Sequence, residues 1–352
     1  MCDSMQDSAI KTKEYPVCCI CGANGVALYS DLEDVIFEAP GNWRLKKCPR
    51  DHCGLVWLDP MPLKDEISKA YKKYYTHEGY RKTIDKKNTA GLRNIYERVK
   101  NGYLSYRYGY TLEKSLFGKV LARLIYLLPS RRAFLDFSVF FLKHNPGGRL
   151  LEIGCGNGDT LLYLSNLDWQ AEGIDFDPEA VSCAKKKGLN VSLGSLEQQG
   201  FPDNHFDAVV MSHLIEHVEE PILLVKEAFR VLKLGGRLVI VTPNNRSFGH
   251  IWFRKHWRGL EPPRHLHIFN CESLHALVTY AGFASVNVSS SIRNADNIFL
   301  ASEMHRVDNK VEEGRPETFV RRIWAAFMQY FEWFLLKFNK ELGEDINLIA
   351  IK

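Results

Sequence analysis

Short apolar runs alternate with amphipathic segments along the second half of the chain. The first run, residues 149–154, ends in glycine, which is typical of a buried strand that enters a tight turn. Further strands are predicted at residues 171–175, 190–196, 206–211, 236–242, 284–289 and 347–351, and helices at 220–232 and 272–281. Strands separated by helices predict an α/β fold with a seven-stranded, Rossmann-like parallel sheet covered by helices on both faces.

The remaining chain divides into segments of different character. Residues 1–14 are polar and predicted to be disordered, and residues 15–59 are turn-rich and hold the clustered cysteines. Residues 60–148 are predicted to be a mainly helical cap or linker, and residues 149–352 form the main domain with a helical insertion at 292–346. The predicted helices of the cap are 63–75, 114–128 and 132–144. A chain of 352 residues exceeds the usual size of a single core, which agrees with an appended piece.

The net charge indicates which partners the protein binds, and the cysteine content indicates in which compartment it lies. A formal net charge of +4 is small for this length, so no nucleic-acid partner is predicted. The nine cysteines are too sparse for a disulfide scaffold, and no charged-then-apolar leader opens the sequence. A reduced, cytoplasmic protein is therefore predicted, with peripheral contact at the inner face of a membrane left open.

The run Leu150-Leu-Glu-Ile-Gly-Cys-Gly-Asn-Gly158 combines a strand, a glycine turn and a helix start. Dinucleotide-binding proteins share this pattern, so the flanking charges decide between ligands. Glu152 lies two positions before the first glycine, where a carboxylate would repel a pyrophosphate but hold an ammonium group. Asp175 ends the next predicted strand, where a carboxylate accepts ribose hydroxyls. These residues favour a cofactor with a ribose and a cationic, amino-acid-like tail over a nicotinamide dinucleotide.

Five successive motifs resemble those of class I S-adenosylmethionine-dependent methyltransferases. They are Leu151-Glu-Ile-Gly-Cys-Gly-Asn-Gly, Gly173-Ile-Asp-Phe-Asp-Pro, Phe206-Asp-Ala-Val-Val-Met-Ser-His, Glu216-His217 and Leu234-Gly-Gly-Arg-Leu. The similarity covers residues 149–283 and is greatest to ubiquinone-type O-methyltransferases and bacterial sugar and polysaccharide methyltransferases. It implies the class I methyltransferase sheet and S-adenosylmethionine as the cofactor.

The resemblance also implies where the cofactor is held. The implied contacts are the methionine part at Glu152, Gly154, Cys155 and Gly156, the ribose at Asp175, the adenine at Phe176, Ser195 and Leu196, and a backbone wall near the sulfonium at Met211. Many members carry aspartate at the position of Ser195. The contact with the adenine amino group is therefore expected to pass through water or to move to Glu197.

Methylation of a hydroxyl also needs a group that removes the proton. His265, in the loop after the fifth predicted strand, is the first candidate base, and His213, directly after the fourth, is the second. The neighbouring Arg264 offers donors that suit a phosphate or carboxylate on the acceptor. Glu216-His217 either orients the next helix or takes part in the site. Some ubiquinone-type relatives place magnesium near this pair, but the run holds a single carboxylate, so no catalytic metal is predicted.

The N-terminal cysteines form two turn-like pairs, each followed by a glycine. Cys18, Cys21, Cys48 and Cys53 are predicted to hold a structural zinc ion in a small zinc-ribbon-like module, with His52 or Cys19 as substitutes. The segment also resembles zinc-binding leaders of bacterial sugar methyltransferases. A degenerate ribbon that folds without metal is the alternative.

Residues 318–342 predict a helix with a broad aromatic stripe, interrupted by charges. Three interpretations stay open for it: a lid on the catalytic domain, a homodimer contact, or a helix at a membrane surface. The predicted function is O-methylation of a sugar, nucleotide-sugar, glycan or similar small acceptor. The alternatives are C- or N-methylation of another small molecule and an inactive binding protein that kept the fold.

Overall fold

The computed structural model describes residues 9–71, 90–112, 118, 120, 122–308 and 318–352. The strands are β1 (Thr12–Lys13), β2 (Val26–Leu32), β3 (Trp43–Lys47), β4 (Val56–Leu58), β5 (Met61–Pro62), β6 (Arg149–Ile153), β7 (Gln170–Asp175), β8 (Asn190–Leu193), β9 (Phe206–Ser212), β10 (Leu232–Pro243), β11 (His267–Ile268), β12 (Ser285–Ser291) and β13 (Asp345–Ile351). The helices are α1 (Ala90–Tyr108), α2 (Pro129–Ser138), α3 (Asp159–Ser165), α4 (Pro178–Lys186), α5 (Pro221–Val231), α6 (Phe248–Phe253), α7 (Cys271–Tyr280), α8 (Ala295–Asp308) and α9 (Phe319–Leu335).

Seven strands form the main sheet in the order β12-β13-β10-β9-β6-β7-β8. Strands β6, β7 and β8 are parallel neighbours, and the buried side chains of β9 and β10 supply much of the core. This arrangement confirms the predicted α/β, Rossmann-like class I methyltransferase sheet. One strand differs from a purely parallel sheet, because β13 runs antiparallel to β12. Two helices, α8 and α9, lie between these strands, whereas a single helix returns the chain for a parallel strand.

The described residues form two compact units, each built from separate stretches of chain. The first unit takes its residues from Met1–Tyr75, Met211–Arg230 and Ile240–Lys352, and the second from Thr76–Val210 and Val231–Val239. The second unit contains β6, β7 and β8 with helices α3 and α4. The first unit contains the four clustered cysteines, the predicted base candidates and the C-terminal helices. The predicted division at residues 15, 60 and 149 stays a prediction.

Within the first unit, the N-terminal segment builds a four-stranded antiparallel sheet in the order β11-β4-β3-β2. The outer strand β11 comes from residues more than two hundred positions later in the chain, and no local pattern predicts this pairing. Trp57 on β4 is fully buried, and its indole NH donates to the carbonyl oxygen of Tyr15 at 2.7 Å. The cysteine segment is thus tied to the segment that carries His265.

The predicted helices agree with those of the structure to different degrees. Helix α1 was not predicted, because its buried positions are mainly tyrosines, such as Tyr103 and Tyr108, on an otherwise polar segment. The predicted helix 318–342 ends at Leu335. The predicted helices 63–75 and 114–128 lie partly outside the described residues; their described parts include the 3-10 helices Ile67–Tyr71 and Ala122–Leu127.

Two further expectations concern the ends of the chain and its helices. Of the predicted disordered segment 1–14, residues 1–8 lie outside the described part, whereas β1 pairs with β5. Within the described residues, no helix combines the length and apolar character needed to cross a membrane.

Candidate cofactor and acceptor sites

A glycine-rich loop leaves β6 and folds over the end of β7. The NH groups of Gly154 and Cys155 donate to the carbonyl oxygen of Ile174 at 2.8 and 3.1 Å. Gly154, Gly156 and Gly158 have φ values of 76°, 52° and 78°, which glycine adopts without the steric cost of a Cβ atom. A Cβ atom built on Gly156 would meet nothing within 4 Å, so this part of the loop offers space to a ligand.

Glu152 is a buried carboxyl group beside this loop. The residue is 3% exposed, and its Oε2 atom has no hydrogen-bond partner in the described part of the chain. Burial, followed by the negative charge of Asp175, raises the pKa of Glu152 to about 8. A buried acceptor atom without a donor is costly, and a cationic ligand group would satisfy it. The residue therefore fits the ammonium group of the predicted cofactor.

Asp175, at the end of β7, holds the glycine loop in place. Its Oδ2 atom accepts the NH of Gly156 at 2.7 Å, and its Oδ1 atom accepts the NH of Asp177 at 2.9 Å. Burial raises the pKa of Asp175, and these backbone donors oppose the shift. Each carboxylate oxygen keeps a further lone pair, so the group fits the predicted contact with ribose hydroxyls.

The other predicted cofactor residues differ in what they can offer. Phe176 is 55% exposed and available for stacking, and the NH of Ser195 donates to Oε1 of Gln198 at 2.9 Å. The side chains of Leu196 and Met211 are fully buried, which leaves only their backbone atoms for a ligand. Their roles stay predictions, as does that of the buried Cys155.

His213 directly follows β9 and has a solvent-accessible side chain. Its φ of 49° is unusual for a residue with a Cβ atom, and such conformations cluster at functional sites. Its Nδ1 atom lies 3.4 Å from Oε1 of the buried Glu216. On the other side of the ring, Nη2 of Arg293 contacts Nε2, while Arg293 also pairs with Asp345 at 2.6 Å. Arg293 lies in a segment without motifs, so sequence reasoning missed it.

His265 lies deep in the first unit. Its Nδ1 atom is 2.8 Å from the carbonyl oxygen of Gly259, and burial lowers the pKa of His265 to about 4 against the opposing charge of Glu261. His217 neighbours it, with ring centroids 4.8 Å apart. His267, predicted to be a packing residue, is buried, and its Nδ1 atom lies 3.0 Å from the carbonyl oxygen of Val218.

Arg264 was predicted to contact a phosphate or carboxylate on the acceptor, but its side chain is fully buried. Its guanidinium group pairs with Asp34 at 2.7 Å and Glu261 at 2.9 Å and donates to the carbonyl oxygen of Ala70 at 3.0 Å. The ring of Phe37 covers it at 4.4 Å. The guanidinium group is fully buried and paired with two carboxylates, so the predicted contact between Arg264 and the acceptor is not supported.

The four predicted cysteines converge in the first unit. The ligand atoms of Cys18, Cys21, Cys48 and Cys53 all lie within 4.8 Å of one another. The distance between the sulfurs is 3.6 Å for Cys18 and Cys53 and 3.4 Å for Cys21 and Cys48. Zinc–sulfur bonds of about 2.3 Å place tetrahedral sulfurs roughly 3.8 Å apart, so the group is close to that geometry. The predicted substitutes, Cys19 and His52, are exposed and outside it.

The cysteine turns also aim donors at the sulfur atoms. The thiol of Cys53 lowers the pKa of Cys18 most strongly, burial opposes this, and the NH groups of Cys21 and Ile20 lower it further, to about 5. Burial raises the pKa of Cys48, the thiol of Cys18 and burial raise that of Cys53, and backbone hydrogen bonds from Arg50 and Leu55 oppose both shifts. NH donors that stabilise thiolates are what a thiolate–metal centre requires.

Residues 126–288 match the family model described as "Methyltransferase domain". This part of the chain is therefore similar to methyltransferase domains. The match contains the glycine loop, Glu152, Asp175 and both predicted base candidates, and it confirms the resemblance that the sequence motifs indicated.

Curated relatives support the same family. A ubiquinone/menaquinone biosynthesis C-methyltransferase from Geotalea daltonii is 32% identical over 135 residues, which are 34% of this chain and 57% of that protein. A ubiquinone biosynthesis O-methyltransferase from Xanthomonas oryzae is 34% identical over 109 residues, which are 28% of this chain and 44% of that protein. The chain thus spans about half the length of these relatives. A solved S-adenosylmethionine-dependent methyltransferase from Archaeoglobus fulgidus is 20% identical, covers 71% of this chain and 99% of its own, and has a TM-score of 0.41.

The packing of the glycine loop can be tested by alanine substitution. A Cβ atom on Gly158 would lie 2.5 Å from Cδ1 of Leu189 and 3.0 Å from Cβ of Ala184, whereas one on Gly188 would meet nothing within 4 Å. The two glycines have φ values of 78° and 79°, so alanine suffers the same backbone strain at both. Gly158→Ala should therefore lower the free energy of unfolding by about 1–3 kcal/mol more than Gly188→Ala.

Urea denaturation with comparison of midpoints and slopes measures this difference. Equal losses for the two variants would show that the contact of the loop with α4 and Leu189 does not constrain its position.

Proposed function

We propose that this protein transfers the methyl group of S-adenosylmethionine to a hydroxyl group of a small acceptor. The observation that carries the proposal is the unpaired, buried carboxyl oxygen of Glu152 beside a glycine loop bound by Asp175. That arrangement offers a site for an ammonium group and a site for a ribose on neighbouring strands. The methyltransferase match over residues 126–288 supports the same cofactor.

Each residue of the cofactor site has a defined task in this proposal. The bound cofactor supplies a methyl group activated by a positive sulfonium. Glu152 accepts the ammonium group, Asp175 accepts the ribose hydroxyls, and Phe176 covers the adenine. The loop from Gly154 to Gly156 brings backbone rather than side chains to the ligand. Alignment of the reactants supplies most of the rate enhancement in such a displacement.

His213 is the proposed general base. Its accessible ring follows β9 directly, and Glu216 lies 3.4 Å from Nδ1. A carboxylate on that side favours the tautomer with the proton on Nδ1, which leaves Nε2 to accept a proton from the acceptor hydroxyl. Nε2 contacts Arg293, so the acceptor would have to displace that side chain. His265 is less suited, since burial lowers its pKa to about 4 and encloses the ring.

The acceptor class is proposed as a sugar, nucleotide-sugar, glycan or similar small molecule. The support is the likeness of the cysteine leader to those of bacterial sugar methyltransferases. C-methylation is the second candidate, because one of the relatives is named as a C-methyltransferase.

The cysteine cluster is proposed to hold structural zinc. Four sulfurs at near-tetrahedral separations, with backbone NH donors to three of them, support a closed site. Such an ion would cross-link the turn after β1 to the turn between β3 and β4.

The exposed aromatic face of helix α9 is proposed to be a second binding surface. Its inner face buries Ala325, Met328, Gln329 and Glu332, while Phe319 and Phe327 are 78% and 63% exposed. An exposed aromatic face supports a homodimer contact or contact with a membrane that presents a lipid-linked acceptor.

The raised pKa of Glu152 gives a pH-dependent test of cofactor binding. At pH 7 the free carboxyl is mostly protonated, because its pKa is about 8, and an ammonium partner would lower that pKa. Binding of S-adenosylhomocysteine should therefore release up to about one proton and tighten as pH rises from 6 to 8. Glu152→Gln should abolish the proton release and weaken binding about 10- to 100-fold.

Isothermal titration calorimetry in buffers of different ionisation enthalpy measures the proton release. Glu172→Gln, on the solvent side of β7, is the matched control and should bind as the wild type does. Unchanged affinity in Glu152→Gln would remove the basis of the cofactor assignment.

The choice of base predicts a selective loss of turnover. His213→Ala should lower kcat about 10²- to 10⁴-fold without changing the affinity for S-adenosylhomocysteine, because a general base acts on the acceptor only. Transfer of a tritiated methyl group to a panel of nucleotide sugars, quinone precursors and glycolipids identifies an acceptor and measures this loss. Added imidazole should restore part of the rate, and His275→Ala, exposed on α7, serves as the control. Full turnover in His213→Ala would exclude it as the base.

The zinc proposal predicts a difference between neighbouring cysteines. Cys48→Ser should lower the zinc content of the purified chain by one equivalent, since it removes one of the four ligands, whereas Cys19→Ser should not, because Cys19 lies outside the cluster. Inductively coupled plasma mass spectrometry gives the metal content per chain. The same zinc content in both variants would favour a ribbon that folds without metal.

A further inference from the structure

A second group of metal-binding side chains lies in the first unit, away from the cysteines. One ligand atom each from Glu216, His217 and His265 lies within 4.8 Å of the other two. Glu216 is fully buried, His265 is 5% exposed, and His217 is partly exposed. The group combines two imidazoles with one carboxylate at the edge of the solvent-accessible region around His213.

Both imidazoles are fixed through Nδ1. Nδ1 of His217 lies 3.0 Å from the carbonyl oxygen of Arg264, and Nδ1 of His265 lies 2.8 Å from that of Gly259. A carbonyl oxygen only accepts, so Nδ1 of each ring donates and Nε2 is the ring atom left for a ligand. The hydroxyl of Tyr71 also lies 3.0 Å from Nδ1 of His217. Metal-binding histidines in proteins are oriented in this way by a backbone carbonyl that receives the other ring NH.

The carboxylate supplies an oxygen that the protein leaves unsatisfied. Oε2 of Glu216 accepts the hydroxyl of Thr242 at 2.9 Å. Oε1 accepts no hydrogen bond of ordinary geometry from the described residues, and Nδ1 of His213 is 3.4 Å away from it. A fully buried carboxylate oxygen without a donor is unfavourable unless a ligand completes it.

An internal ion pair does not account for this group as well as a ligand does. A protonated imidazole would donate from Nε2 to the free oxygen of Glu216, yet that hydrogen bond is not formed. The other carboxylate near His265 is Glu261, whose Oε2 atom is 3.7 Å from Nε2. Glu261 already pairs with Arg258 and Arg264, so its charge is balanced without the histidine.

We propose that Glu216, His217 and His265 bind a divalent transition-metal ion of the zinc class. Two nitrogens and one oxygen suit zinc, iron(II), cobalt or manganese, whereas magnesium prefers an all-oxygen shell. The donors therefore do not fit the magnesium ion that some ubiquinone-type methyltransferases are described to hold. Bonds of about 2.1 Å would draw the donor atoms to roughly 3–3.4 Å from one another and leave further positions open to water or an acceptor oxygen. The site shares Glu216 with the proposed base His213, but its test measures metal binding and needs no acceptor or turnover.

Cobalt(II) binding to the purified full-length chain tests the proposal. Thiolate ligation gives cobalt an intense sulfur-to-metal charge-transfer band, whereas nitrogen and oxygen ligands give only visible d–d bands. Cobalt at the cysteine cluster should give the charge-transfer band. The metal-depleted wild type should take up one further equivalent that adds d–d bands without adding charge-transfer intensity. Zinc should displace this equivalent, and millimolar magnesium should not.

Two histidine variants separate the site from general effects on folding. His265→Gln should lose the thiolate-independent equivalent or weaken it at least about 100-fold, because it removes a direct ligand. His267→Gln is the matched control, since His267 is equally buried and also bonded through Nδ1 to a carbonyl, but lies outside the group. If His265→Gln fails to fold, the wild-type spectrum decides alone.

Three results would overturn the proposal. They are the absence of a thiolate-independent cobalt equivalent in the wild type, equal cobalt binding by His265→Gln and the wild type, and displacement by magnesium as effective as that by zinc. S-adenosylhomocysteine binding is measured on the same samples and does not depend on the result of the metal experiments. Failure of the metal site and failure of the cofactor assignment are thus distinguishable.

Discussion

Two buried carboxyl groups at the ends of neighbouring parallel strands govern the cofactor side of this molecule. Burial raises the pKa of both Glu152 on β6 and Asp175 on β7, and the charge of Asp175 raises that of Glu152 further. The protein offsets this shift for Asp175 with two backbone donors, one of them the NH of Gly156. Glu152 receives no such compensation at Oε2. The asymmetry makes Asp175 an anchor of the loop, and in the proposed function the ammonium group of the cofactor would satisfy Glu152.

The sequence was sufficient for this part because each requirement is local. A strand, a glycine turn and a helix occupy consecutive residues, so apolar runs and glycine positions predict their order. The acidic residues lie within or at the end of those strands, which places them at the same edge of a parallel sheet. The strand bounds accordingly agree with the structure to within a few residues over most of the sheet. The reversal of β13 could not be predicted, because it depends on how α8 and α9 pack.

The acceptor side shows where sequence reasoning stops. Arg264 and His265 looked alike as polar residues in one loop, yet both are enclosed, Arg264 by Asp34 and Glu261 and His265 beside Gly259. Asp34 is 230 residues away in sequence, so no spacing reveals it. Arg293 was missed for the same reason. Helix α1 escaped prediction because tyrosines bury polar and apolar atoms together, which weakens the hydrophobic periodicity.

Hydrogen bonds join the cysteine module to the segment that carries His265. The NH of Leu58, at the end of β4, donates to the carbonyl oxygen of Leu266 at 3.0 Å, one residue after His265. Asn270 donates from Nδ2 to the carbonyl oxygen of Cys53 at 2.8 Å, and Asn245 to that of Gly54 at 3.0 Å.

A zinc ion at the cysteines, as proposed, would fix the turn that leads into β4, and β4 pairs with β11, which follows the loop of His265. Loop residues keep a defined geometry only when rigid elements hold them. With that ion bound, the N-terminal module would support the segment that carries His265, although the chain places the two more than two hundred residues apart.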